Sequence, residues 1–279
     1  MLTVLQIELF KIFKRPRTYI AFVAIAAIVV LIQLAFYVDG ESYVQFMLQT
    51  ISESFNVEGR ILNGYLICYV ILQSLLIHVP LLIALIAGDM IAGEANMGTL
   101  RLLISKPVSR ESLMVSKFLA SVLYTLLLLV WMAFLSLLLS LMIFGVGDLM
   151  IFKSEEIVIL KSTDIMWRYW CCFSFAAIAM TTVASLAFLL SIFAENSIGP
   201  IIATMSIIIV FTILTSMDLP LFKTMKPYIF TSHMLGWKGF LDDPINYSSV
   251  MKSAAILVLH IVCFVTAAII IFKKKDVLS

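Results

Sequence analysis

Apolar residues in this chain run in long blocks, and the polar residues are gathered into the gaps between them. Six blocks, at roughly 18–38, 64–87, 118–144, 169–193, 197–216 and 253–272, have about the 20 residues a helix needs to cross a hydrocarbon layer. Lipid offers the backbone no hydrogen-bonding partner, so each block is expected to satisfy its amides internally as an α-helix. The predicted fold is an all-α membrane domain over 1–279 with six spans. The first block has too long an apolar core for a cleavable leader and no small-residue cleavage site after it, so it is expected to stay as an anchor. Pro80 lacks the amide that would bond one turn back, which predicts a kink in the second span.

The gaps are not alike. Residues 1–17 set Leu2, Leu5, Leu9, Ile12 and Phe13 on one helical stripe with Glu8, Lys11 and Arg15 opposite, the pattern of a helix lying in the membrane surface. Val4 and Ile7 interrupt its polar face, and an extension of the first span broken at Pro16 is the alternative. "FAENSIGP" (193–200) is short enough for a tight hairpin, with Asn196 or Ser197 capping the next helix. Segments 145–168 and 217–252 mix acids with apolar residues. The second carries Tyr228, Phe230, Trp237 and Phe240, as either short interfacial helices or a surface loop with aromatic anchors would.

The stretch 88–117 is the most punctuated. It predicts a short helix ending near Gly98, a new start with Thr99 as N-cap of "LRLLIS", a stop at Lys106-Pro107, and Ser109 capping the run into the third span. A folded elbow follows, presenting Glu94, Asn96, Met97 and Arg101. A solvated re-entry loop is the alternative.

Composition places these elements in a membrane: 62% of residues are hydrophobic and 13% charged, with a mean hydropathy of +1.10, far from the soluble average. The net charge of +2 and its scatter leave no nucleic-acid footprint. Lys11, Lys14, Arg15 and Arg17 precede the first span, while Asp39 and Glu41 follow it. The N-terminus is therefore expected to be cytoplasmic, and an even span count returns Lys273, Lys274 and Lys275 to the same side. Under this topology the cytoplasmic segments hold eleven Lys and Arg against six Asp and Glu, and the external ones eight against eleven. The elbow 88–117 is then cytoplasmic, and 145–168 and 217–252 are external.

The residues give catalysis little purchase. Gly88 and Gly93 have P-loop spacing but are followed by Glu94 and Ala95. Gly93 and Gly98 are followed by Thr99 and Leu100, so neither pair continues into the Lys-Ser/Thr that cradles phosphate. HExxH and GxSxG are absent. Cys68, Cys171, Cys172 and Cys263 all lie in apolar runs and suggest neither disulfides nor a metal site. The span interiors contain no Asp, Glu, Lys or Arg, leaving only His78 and His260 for an ion relay. Each is read as a neutral histidine bonded to a neighbouring helix or a free carbonyl, and Gln33, Gln73 and Ser74 as links between helices. No catalytic, cofactor-binding or metal-ligating residue is expected in this chain.

"GEANMGTLRLLISKPVSRESLMVSKFLA" (93–120) resembles the segment after the second span in permease subunits of type-two ATP-binding-cassette (ABC) exporters, where a Glu, a Gly-Thr-Leu, a Pro-x-Ser-Arg step and a Lys opening the next span recur. The order of elements along the whole chain is similar too. The resemblance implies a coupling helix carrying Glu94, Asn96 and Met97, with Gly98 and Thr99 at its bend and Arg101, in an ion pair with Glu94, on the connecting helix. It also implies two cytoplasmic ABC ATPase subunits that bind ATP and Mg, a second permease copy or paralogue, and residence among the lipids of a bacterial plasma or inner membrane. Apolar span walls point to a lipid-like, peptide or otherwise amphipathic cargo. A non-transporting scaffold or assembly factor, and a secondary carrier, are the alternatives.

Overall fold

A computed structural model describes residues 1–48, 61–100, 108–153, 157–217 and 224–275. Among them the chain is mostly helical. Helix α1 (Leu2–Lys14) is divided from α2 (Pro16–Leu48) at Arg15, extended as a residue before proline prefers. The Thr18 hydroxyl closes that corner by donating to the Ile12 carbonyl. Helix α3 (Gly64–Ala87) leads into the short α4 (Asp89–Asn96), and α5 spans Arg110–Phe144 with a π-helical stretch at Phe134–Leu139. An antiparallel hairpin of β1 (Leu149–Phe152) and β2 (Ile157–Leu160) follows, with Leu149 opposite Leu160. Then come α6 (Ser162–Ser191), α7 (Ile198–Ser216), the one-turn α8 (Phe230–His233) between 3-10 turns at Lys226–Tyr228 and Gly236–Leu241, and α9 (Tyr247–Lys274).

Five of these helices, α2, α5, α6, α7 and α9, are long and apolar enough to cross a membrane, so the chain is a multi-pass membrane protein. The second apolar block behaves differently. Helix α3 is bent by 54° between Gly64–Ser74 and His78–Ala87, just before Pro80, whose missing amide leaves the carbonyl one turn back without its helical partner. His78 Nδ1 lies 2.9 Å from the Ser74 carbonyl across the bend.

Several helices overrun the apolar blocks that marked them. Helix α2 continues past Asp39 and Glu41, α5 starts at Arg110, α6 at Ser162 and α9 at Tyr247. Hydropathy reports where lipid lies, whereas a helix ends where its amides find a cap. Ser109 accepts from the Ser112 amide at 3.2 Å and Asn246 from the Ser249 amide at 3.1 Å, both outside the apolar run. Of the two candidates before α7, Asn196 is the cap, accepting from the Ile198 and Gly199 amides at 3.1 Å.

Helix α6 is the axis of the bundle. In its most apolar stretch 67% of residues are buried, against 28% in α2 and 17% in α7 and α9. Ala176, Ala179, Ala184 and Ala187 are fully covered, and small residues of this kind let neighbouring helices approach closely. Polar side chains inside the bundle bond carbonyls of other helices: Tyr169 to Tyr65 at 2.6 Å, Tyr124 to Thr18 at 3.2 Å, and Trp131 to Phe22 at 3.2 Å. Gln33 does the same for α5. Its amide donates to the Leu135 carbonyl, in the π-helical stretch where regular pairing is lost, at 3.0 Å, and to Ser140 Oγ at 2.9 Å.

The bundle has two distinct ends. At one gather α1, α4, the start of α5, the α6–α7 turn and the end of α9, where Arg110 donates to the Lys273 and Lys275 carbonyls and Lys275 to that of Ile192. The opposite end holds the β-hairpin and the 3-10 turns. There Asn63 caps α3 and donates to the Asp148 carbonyl at 2.7 Å. The hairpin departs from an all-α fold, and residues 154–156 between its strands lie outside those described. Trp237, expected as an interfacial anchor or loop residue, is fully buried in the bundle. Tyr228 remains exposed.

Candidate functional site

Helix α4 has two halves of opposite character. Its root, Asp89–Glu94, is buried although two of the six residues are acids. Its tip, Asn96, Met97 and Gly98, is exposed, with Met97 at 54%. The helix stops in a Schellman turn. The Gly98 amide bonds the Ala95 carbonyl at 3.0 Å, the Thr99 amide bonds the Glu94 carbonyl at 3.0 Å, and Gly98 takes φ +68°, which glycine adopts without penalty. The half-buried Thr99 reinforces the stop through Oγ1, which donates to the Glu94 carbonyl at 3.3 Å. Arg101, and with it all of "LRLLIS" after Leu100, the Lys106-Pro107 stop and the expected Glu94–Arg101 pair, lies outside the described residues.

Glu94 belongs to the root, which corrects the expectation that it is presented on the elbow surface. Only 4% exposed, its Oε1 lies 2.8 Å from both Lys11 Nζ on α1 and Lys117 Nζ on α5. Both ammonium groups are also 2.8 Å from the Glu8 carboxylate. The result is a closed, neutral set of two carboxylates and two ammoniums joining α1, α4 and α5. Burial works to raise the Glu94 carboxyl, but the Lys117 and Lys11 ammoniums outweigh it and hold the group below its usual value. Burial likewise works to lower Lys11, and its bonds to Glu8 and Glu94 raise it instead. Among the described residues Glu94 Oε2 is buried without a partner, and the two lysines are both held through Oε1.

A second cluster begins one turn earlier. The Asp89 carboxylate takes Arg15 and Arg17 on Oδ2 and the Ser197 hydroxyl on Oδ1. This ties α4 to the α1–α2 corner and to the α6–α7 turn. Ser197 is therefore a tether between turns, not a helix cap.

Leu5, Leu9, Ile12 and Phe13 of the expected apolar stripe pack inward, but these contacts turn the charged residues inward as well. Glu8, Lys11 and Arg15 turn inward with Leu5 and Ile12, while Leu2, Ile7 and Phe10 are exposed. Paired charges inside and apolar residues outside suit a helix whose outer face meets lipid.

Sequence reasoning presented Asn96 and Met97 on the elbow surface with Gly98 at its bend, and the structure exposes all three. It missed Glu8, Lys117, Asp89, Arg15, Arg17 and Ser197 as one assembly. The available signal was Lys117 and Glu8 standing singly among apolar neighbours, since a charge so placed needs a partner. Among the described residues no three His, Cys, Asp or Glu side chains converge as metal ligands. His260 Nδ1 meets the Ile256 carbonyl at 2.8 Å, a bond within its own helix.

A family described as a protein of unknown function (DUF2705) matches residues 18–278, a range that opens at the base of α2. The uncharacterized protein YhcI of Bacillus subtilis strain 168 is 26% identical over 198 residues, covering 69% of this chain and 63% of that relative, less than two thirds of its length.

Proposed function

The chain belongs to the family described as a protein of unknown function (DUF2705), and from that premise we propose that it is the permease subunit of a type-two ABC exporter. The observation that carries this reading is the division of α4 into a small exposed tip and a buried root ion-paired to three other elements. A partner that pushes on Asn96, Met97 and Gly98 moves the root. The root cannot move without α1 and α5, through Glu94, or the α1–α2 corner and the α6–α7 turn, through Asp89. This is the mechanical property required of a contact that transmits ATP-driven closure from a separate subunit. In this reading Glu94 transmits force and Met97 receives it.

Counted with the bent α3 as one, six segments cross the membrane. The basic flanks put both termini and the elbow on the cytoplasmic side of a bacterial plasma or inner membrane. Helices α2 and α7 leave most of their apolar surface uncovered within the chain, as helices facing a second permease around a shared pathway would. ATP and Mg are held by two partner ATPases, and alternating exposure of a cavity between the two permeases moves the cargo.

The test is co-purification of the tagged chain with a Walker-motif ATPase, followed by reconstitution of the complex in lipid vesicles. Stable association and an ATPase rate that depends on the permease are expected. Association without any effect on turnover would favour a scaffold, and failure of every such ATPase to associate would overturn the proposal.

A further inference from the structure

At the hairpin end, away from the elbow, two cavity lobes of about 290 and 530 Å³ share Tyr69, Gln73, Ile151 and Phe152 in their walls. Together they are in the size range of sites for small organic ligands. The smaller lobe is lined mainly by apolar side chains of α3 and β1, among them Leu66, Val70 and Met150. The larger adds Lys153, Lys238 and Asp242. The cavity is thus divided between an apolar wall and a charged one.

Among the described lining residues the charges do not cancel. Asp242 Oδ1 is 2.7 Å from Lys153 Nζ, and the backbone around Asp242 is held by Arg168, which donates to the Phe240 and Asp242 carbonyls at 3.1 and 2.7 Å. Lys238 has no carboxylate partner among the described residues. Its ammonium meets Gln73 Oε1 at 3.2 Å and the Trp237 ring at 5.9 Å. Gln73 lies nine residues along α3 from Gly64, or about 14 Å at 1.5 Å per residue. The 3-10 turn carrying the fully buried Trp237 therefore brings a cation well into the bundle. Burial lowers the Lys238 amine below its usual value, as expected of a cation that has lost water without gaining an anion among the described residues.

We infer that this cavity binds an amphiphile with a single anionic head group, the head meeting Lys238 Nζ beside Gln73 and the chain lying along Val70, Ile151 and Phe152. A small inorganic anion would leave the apolar lobe unfilled, and an uncharged lipid would leave the ammonium unpaired. As the cargo class of the proposed permease this rests on the preceding reading, but binding needs no ATPase.

The test uses the full chain purified in dodecyl maltoside and titrated with dodecyl phosphate by calorimetry. Saturable binding of one equivalent is expected. Lys238→Gln should weaken it roughly tenfold or more and Lys238→Arg should largely retain it, since the contact is charge-assisted. Val70→Trp, which fills the apolar lobe with Lys238 intact, should also abolish it and serves if Lys238→Gln does not fold. Inorganic phosphate should neither bind nor compete. Equal binding by Lys238→Gln and the parent, uptake that never saturates, or competition by inorganic phosphate would each overturn the inference. Binding of dodecyl phosphate by a chain that associates with no ATPase would leave the site standing and remove the permease reading. A coupled ATPase complex that ignores dodecyl phosphate would do the reverse.

Discussion

Glu8 and Lys117 are 109 residues apart in sequence and 2.8 Å apart in space, both almost completely buried. Their contact docks α1 under the start of α5, and the Lys117 ammonium extends it to Glu94, so three elements depend on one cation.

Replacing Lys117 should therefore be far more damaging than replacing Glu94. Lys117→Ala leaves two buried carboxylates sharing the half-buried Lys11, a loss of about 3–5 kcal/mol by the usual cost of breaking a buried pair. Glu94→Gln keeps an acceptor for both lysines and should cost roughly 1–3 kcal/mol. Thermal unfolding in detergent measures both. A change below about 0.5 kcal/mol for Lys117→Ala would mean the network contributes nothing.

The same cluster sets a pH window. The folded-state Glu94 value lies below 4.5, so its contribution is full above pH 4.5 and is lost as pH falls through that lowered value. Lys11 lies above 10.5, so its contribution is full below pH 10.5 and is lost as pH rises through the raised value. Melting temperature should be level between these limits and fall outside them. Glu94→Gln should remove much of the acid-side fall and Lys11→Gln much of the alkaline one. Unchanged profiles in both variants would contradict the assignment.

Gly93 offers a test of opposing terms. Within a helix, Gly→Ala gains about 1 kcal/mol from propensity alone. Here the added Cβ would sit 2.6 Å from Asp89 Cγ, in a carboxylate that Arg15, Arg17 and Ser197 hold in place. Gly93→Ala is expected to destabilise, and Asp89→Ala in the same chain to relieve part of the loss. If Gly93→Ala stabilises by the propensity amount, the Asp89 cluster is not rigid.

Met97 separates folding from partner binding. It is 54% exposed at the tip, so Met97→Asp should change stability by less than about 0.5 kcal/mol. ATPase co-purification should nonetheless fall severalfold, because an apolar contact is replaced by a charge. Full retention of the partner would take the docking role away from the tip.

The sequence by itself determined that this is a helical membrane protein, that Pro80 interrupts the second apolar block, and that a short helix ends at Gly98 with Asn96 and Met97 at its exposed end. Those features depend on local terms: the length of an apolar run, a missing proline amide and the left-handed freedom of glycine. "LMIF" and "IVIL" flank four polar residues as hairpin strands do, but four-residue apolar runs are too short to distinguish a strand from an interfacial helix by pattern alone. Only the tertiary structure decided that Glu94 faces Lys11 and Lys117 and not the surface, that Asp89 gathers Arg15, Arg17 and Ser197, and that Lys238 reaches Gln73. A charged side chain in sequence has no preferred partner. Its position is settled by desolvation, which makes an unpaired charge inside costly, and by which opposite charge the packed helices bring within about 3 Å.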